Sequence, residues 1–185
     1  MFEQLWQSWV KALTVPKVET FDEEQRQATI EKAVIGMAIA GVAAGILGAL
    51  VALSSGDVGA AIVSIIGGPI FAVIGLFIMS GIFFIVAKVL GGTGDFVVQT
   101  YLVSIIYAPI NIVRAIPIVG TIVGGLASLY GLYPLTFALQ SVHKVTTGKA
   151  VLIWLIPGAI LLVLGLCAAI VLGAAFLAAL GAGAR

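Results

Sequence analysis

The chain has 185 residues, 62% of them hydrophobic and 9% charged, with a net charge of +1 and a single cysteine. That balance excludes an ordinary soluble globular domain, a nucleic-acid-binding protein, a disulfide-stapled fold and, within one chain, a cysteine-ligated metal cluster. Between Ala33 and Ala184 only six side chains are charged, and the uncharged runs between them approach or exceed the roughly 20 residues that cross a bilayer as a helix.

Residues 1–32 read as a cytoplasmic segment. Phe2, Leu5, Trp6, Trp9, Val10 and Leu13 recur at helical spacing opposite Glu3, Gln4, Gln7, Ser8 and Lys11. This predicts an amphipathic helix over 2–14, ended by Pro16 and lying in the membrane interface; a soluble helix packed on the rest of the chain is the alternative. Thr20 followed three residues later by Glu23 has the form of a capping box, so a second helix is expected from Phe21 through Glu31 and Lys32 into the first span. The acidic start lacks the basic residues and apolar stretch of a signal peptide, so the first span is expected to be permanent.

Residues 33–185 are expected to form five transmembrane helices, at about 33–54, 66–89, 96–115, 118–141 and 151–173. The expected fold is therefore all-α and polytopic, with a short interfacial helix in front. In the first span Gly36, Ala40, Ala44 and Gly48 lie four apart, beside the G-x-x-x-G pair Gly41 and Gly45. Gly120, Gly124 and Ser128 repeat the device in the fourth span, and Gly165, Ala169 and Gly173 in the fifth. Lipid supplies no hydrophobic drive between helices, so association relies on the close approach that small residues permit. Packing within one bundle is the preferred reading and a homodimer seam the other. Gly67, Gly68 and Pro69 interrupt the second run, leaving open one kinked helix or an interfacial segment followed by a span. Gly91, Gly92, Thr93, Gly94 and Asp95 read as a flexible turn, without the lysine and hydroxyl that follow a phosphate-cradling loop. With five spans, seven Lys and Arg fall on the N-terminal side against Arg114 and Arg185 on the other, which places the N-terminus in the cytoplasm and the C-terminus outside it.

The third and fourth spans hold most of the polar side chains. Tyr107, Asn111, Arg114, Tyr130, Tyr133 and Gln140 form a candidate polar cluster, around helices that Pro109 and Pro134 interrupt. Arg114, three residues before Pro117, is read as an anchor that snorkels to headgroups ahead of a functional charge within the membrane. Lys88, His143, Lys144 and Lys149 are candidate contacts for anionic headgroups, with His143 a solvated helix-end residue. No catalytic, cofactor or metal site is expected, because neither His143 nor Cys167 has the companions that chemistry needs, and Cys167 reads as a small packing residue.

The order Y-A-P-I-N-I-V-R-A-I-P-I-V-G at Tyr107 to Gly120, L-Y-G-L-Y-P-L at Leu129 to Leu135 and A-L-Q-S-V-H-K-V-T-T-G-K-A at Ala138 to Ala150 resembles the Yip domain family of Rab-interacting membrane proteins. The resemblance implies five spans, a cytoplasmic N-terminus, and roles in trafficking and membrane shaping. The short N-terminal region lacks the acidic D-L-Y-G segment of eukaryotic members, which argues against GTPase binding and for a prokaryotic-type member of the plasma membrane. A non-enzymatic protein that organises or shapes the membrane, or recruits partners, is the leading expectation; a small channel or transporter is the alternative. The expected partners are membrane lipids, with a second copy of the chain or a protein on the cytoplasmic face as further candidates.

Overall fold

A computed structural model describes residues 2–117 and 119–183. Arg185, which entered the charge count, and Ile118, the expected start of the fourth span, lie outside the described residues. Seven helices and no strand are found among those described: α1 (Phe2–Thr14), α2 (Val18–Gln25), α3 (Ile30–Ser54), α4 (Val58–Val89), α5 (Phe96–Arg114), α6 (Val119–His143) and α7 (Thr147–Gly183). Helices α3 to α7 are the five long apolar ones, each of membrane-spanning length and composition. Side-chain oxygens start three of them, satisfying backbone N–H groups that have no partner within the helix. Thr29 accepts from Lys32 N at 3.2 Å, Asp57 from Ala60 N at 2.8 Å, and Asp95 from Val97 N and Val98 N at 2.8 and 3.1 Å.

The second apolar run is one helix that continues through Pro69. Its 32 residues measure about 48 Å at 1.5 Å per residue, well beyond the roughly 30 Å of hydrocarbon. α3 and α4 make the tightest pair in the bundle because small residues meet backbone. A Cβ built on Gly41 would lie 2.5 Å from Pro69 Cα, and one on Gly45 would lie 2.5 Å from Ser64 O. A Cβ on Gly48 would lie 3.4 Å from Ser64 Cβ, and Ala40 is buried on the same helix. Gly41, Gly45 and Gly48 thus bring α3 onto α4 within the chain, while Gly36 faces Leu5 and Trp9 of α1.

The glycines at the other two stripes behave differently from each other. Gly120 sits against the Arg114 carbonyl, and a Cβ on Gly124 would fall 2.5 Å from Arg114 Cγ, so this pair seats the end of α5 on α6. Gly165 and Gly173 have open space around them, and Ala169 is exposed with its neighbours. α7 holds to the bundle near its start, where Ala150 and Ile153 are buried and Trp154 Nε1 donates to Thr136 Oγ1 at 3.0 Å. From Gly158 to Leu172 it is exposed, as a helix facing lipid is free to be. Cys167 lies on this free stretch and packs nothing. Cys167→Ala is accordingly expected to leave the unfolding midpoint in detergent unchanged; a clear drop would show that this stretch is packed.

The N-terminal segment departs most from its expected form. α2 starts at Val18, three residues before Phe21, with Lys17 at its cap and no side-chain bond there. Thr20 Oγ1 instead donates to Val15 O at 2.8 Å, and Glu23 turns outward to Lys11 at 2.5 Å. The helix stops at Gln25, and Thr29 starts α3 afresh, so no continuous helix runs into the first span. This break lets α1 and α2 fold back onto the bundle. α1 lies across three helices in turn: Leu5 and Trp9 against Gly36 of α3, Ser8 near Tyr101 of α5, and the Leu13 carbonyl accepting from Tyr130 of α6 at 2.5 Å. Tyr130 stands thirteen residues before the end of α6, about 20 Å along it.

Candidate functional site

Two regions gather the polar side chains: a cap, where α1 and α2 pack on α3, α5 and α6 beside the turn that joins α4 to α5, and a cavity among α3, α4 and α5 that reaches toward the opposite end.

In the cap, Glu24 is buried and accepts from Gln27 Nε2 at 2.7 Å, Ser8 Oγ at 2.8 Å and Tyr101 OH at 3.0 Å. One carboxylate therefore ties α1, α2 and α5 together, which explains why Ser8, placed by periodicity on the polar face, is buried. Asp22 makes the second tie, accepting from Ser141 Oγ at 2.6 Å and Lys144 Nζ at 2.9 Å. The Ser141 hydroxyl, and after it Lys144, hold the Asp22 carboxyl below its ordinary range against the opposing effect of partial burial. A lowered carboxyl stabilises the fold above its unfolded value and loses that contribution as pH falls. The Asp22 tie thus persists at neutral pH and fades only below about 3.8. The Lys144 amine reaches Asp22 from a left-handed backbone, φ 53°, that ends α6.

His143 makes the third tie and is not a solvated residue. Its exposure is 1%, Nε2 lies 2.7 Å from Gln99 Oε1, and Nδ1 accepts from Gly94 N at 3.2 Å. The accepting Nδ1 assigns the proton to Nε2, so the ring is neutral and donates to Gln99. Gln99 in turn donates to Ser80 O at 2.6 Å, carrying the chain of bonds from α6 through α5 to α4. The Gly91–Asp95 turn is fastened, not flexible: Thr93 N donates to His143 O at 3.2 Å, and a Cβ on Gly94 would meet His143 Nδ1 at 2.7 Å. Its glycines serve close approach, and Gly91, at φ 85°, a turn that side chains resist.

Of the four candidate headgroup contacts, the cap buries His143 and pairs Lys144. Lys88 Nζ donates to Gly94 O and Lys149 Nζ to Leu90 O, each at 2.8 Å. Both amines remain exposed beside the turn.

The candidate polar cluster of spans three and four is divided by the fold. Tyr107, Asn111 and Arg114 line a cavity of about 680 Å³ among α3, α4 and α5, with the Tyr107 ring and the Arg114 stem also set against Gly131 and Gly124 of α6. Tyr130 and Tyr133 are exposed on the side that meets α1, with ring centroids 6.2 Å apart. Gln140 belongs to the cap end, where its Oε1 accepts from Thr147 Oγ1 at 3.3 Å. The division follows from helical geometry, since Gly124 and Gly131 form the side of α6 that meets α5, and Tyr130 and Tyr133 point off that side. The cavity walls are otherwise apolar or small, including Met37 and Ala44 of α3 and Phe71, Gly75, Met79 and Phe83 of α4. Asn111 Nδ2 reaches only Met37 Sδ, at 3.6 Å, and Arg114 has no ion-pair partner among the described residues.

Sequence reasoning missed Glu24, Gln99 and the cavity's α3 and α4 walls. Gln99 carried a signal: an amide in the first turn of an apolar span requires a partner. Glu24 was masked by its acidic neighbours, and the apolar walls resemble any lipid-facing residue. A family model described as Yip1 domain matches residues 10–169. No curated protein and no solved structure matches the chain.

Proposed function

Because the chain belongs to the Yip1 domain family, an integral, multi-pass membrane protein by its five spans, we propose that it is a non-enzymatic organiser of the bilayer. The observation that carries this reading is the way α1 is held. Leu5, Ser8, Trp9 and Ala12 are buried on the bundle, while Phe2, Trp6 and Val10 remain exposed along the helix. A strap pinned through one face presents the other to headgroups and upper acyl chains as a fixed wedge.

In this reading the cap faces the cytoplasm, on the side of the Lys and Arg excess. Lys88 and Lys149 offer exposed charge to anionic lipid or to a partner there. Reconstituted wild-type protein is expected to narrow or tubulate vesicles, and the triple variant Phe2→Ser, Trp6→Ser, Val10→Ser to lose that effect with its fold intact. Vesicles whose size and shape ignore the wild-type protein would overturn the proposal.

A small channel or transporter draws on the cavity with Tyr107, Asn111 and Arg114. It gains less support, because α5 is buried without interruption from Gln99 to Ile106, between the cavity's polar end and the cap. Flux in proteoliposomes that falls in Arg114→Ala and Asn111→Ala would favour it over the organiser reading.

A further inference from the structure

The cavity among α3, α4 and α5 is built like the berth of a single lipid, and we propose that it holds one acyl chain of an anionic phospholipid whose phosphate is bound by Arg114, in the leaflet opposite the cap. Its volume of about 680 Å³ lies within the range of about 300–1,000 Å³ common to small-ligand sites. Its polarity is graded along α5, from apolar Val103 through Tyr107 and Asn111 to Arg114 at the helix end. Those twelve residues of α5 rise about 16 Å from first to last, roughly half of a 30 Å hydrocarbon layer. That is the depth of one leaflet, with the charge at one end and the oily lining at the other.

Charge identifies the headgroup. No carboxylate lines the cavity, and both salt bridges among the described residues lie in the cap. Arg114 is exposed, with its stem laid over Gly124, and it also lines a second, smaller hollow with Gly120, Gly125 and Ser128. A guanidinium near a membrane boundary without a protein anion is suited to a phosphate, which its planar donors can grip in pairs. The Asn111 amide, with only a thioether sulfur within reach, and the Tyr107 hydroxyl, with no partner among the described residues, are placed to donate to the ester oxygens that follow the phosphate.

The apolar part identifies the tail. An empty apolar void forfeits dispersion contacts on all its walls, and charged solutes gain nothing from Met37, Phe71, Met79 and Phe83. Gly75 lies on the wall with no atom within 4 Å of where its Cβ would stand, so the space beside it is open to a ligand or to a larger side chain. This makes Gly75→Leu a means of filling the cavity, since a Cβ there meets nothing.

The full chain, delipidated in mild detergent, would be titrated with dioleoyl-phosphatidylglycerol and followed by native mass spectrometry, with dioleoyl-phosphatidylcholine as the uncharged comparison. The expected result is one tightly held phosphatidylglycerol and weaker phosphatidylcholine. Arg114→Ala should bind at least about tenfold more weakly, through loss of a charge-assisted contact. Gly75→Leu should lose the bound lipid while its unfolding midpoint stays at the wild-type value, which separates blockage from misfolding. Retention of wild-type binding by either variant, or equal binding of the two lipids, would overturn the assignment.

Discussion

Gly45→Val is expected to lower the stability of the protein in detergent by about 1–3 kcal/mol, the usual cost of forcing extra methyl groups into a filled contact. The reason is geometric. The added Cβ would stand 2.5 Å from the Ser64 carbonyl and 3.3 Å from Ile65 Cα, both backbone atoms that cannot turn aside. α3 and α4 would have to separate, and the effect would spread to Gly41, Gly68 and Pro69 one turn along. In a bilayer that loss is not recovered by hydrophobic attraction, because tails are as apolar as the residues they replace. Gly165→Val, at a position with nothing within 4 Å, should leave the midpoint unchanged. Thermal unfolding followed by circular dichroism, with light scattering to record subunit number, distinguishes the two packings. A Gly45→Val protein of wild-type stability, or a Gly165→Val protein that dissociates, would show that the decisive helix contact lies between chains.

Glu24→Ala should have a comparable effect, located in the cap. It removes the acceptor shared by Ser8, Gln27 and Tyr101, and each buried donor left unpaired costs about 1–3 kcal/mol. Gln27 and Ser8 already approach each other at 3.3 Å and can recover part of the loss. Tyr101 has less recourse, with Ser8 at 3.4 Å as its other neighbour. The separate readout is release of α1. Lys11 and Lys32, half-buried in the wild type, should be cut faster by trypsin in Glu24→Ala and in Tyr101→Phe. Unchanged cleavage in both variants would mean that the apolar seat of Leu5 and Trp9 holds the strap unaided. The vesicle assay gives the functional counterpart: a loosened strap should shape membranes poorly although Phe2, Trp6 and Val10 remain.

How much was legible beforehand differs by element. The spans followed from gaps between charges, and the structure moves their ends by a few residues except in the second and fifth runs. There the helices extend to Val58 and Gly183, because an apolar helix can continue through Pro69 or past the bilayer without a charge to mark its end. The α3 stripe was legible as a packing surface since four-residue spacing puts its small residues on one face. Its partner was not, because Gly68 and Pro69 read equally well as a break in the chain. His143 shows the same limit: beside Lys144 in sequence it resembles an exposed helix end, yet Gln99 and the glycine turn enclose it.

The chain's one-dimensional record of charge and hydropathy determined that it is helical, that five helices are apolar enough to cross a membrane, and where their polar ends fall. Those properties depend on the cost of unpaired backbone and ionised side chains in hydrocarbon, a cost each segment meets alone. Only the tertiary structure decided that α1 and α2 clasp the bundle, that Asn111 and Arg114 line a cavity while Tyr130 and Tyr133 face out, and that this cavity opens beside Gly75. These depend on which helix faces meet, and contacts between Ser8 and Glu24 or between Gln99 and His143 join positions whose separation along the chain leaves no local trace.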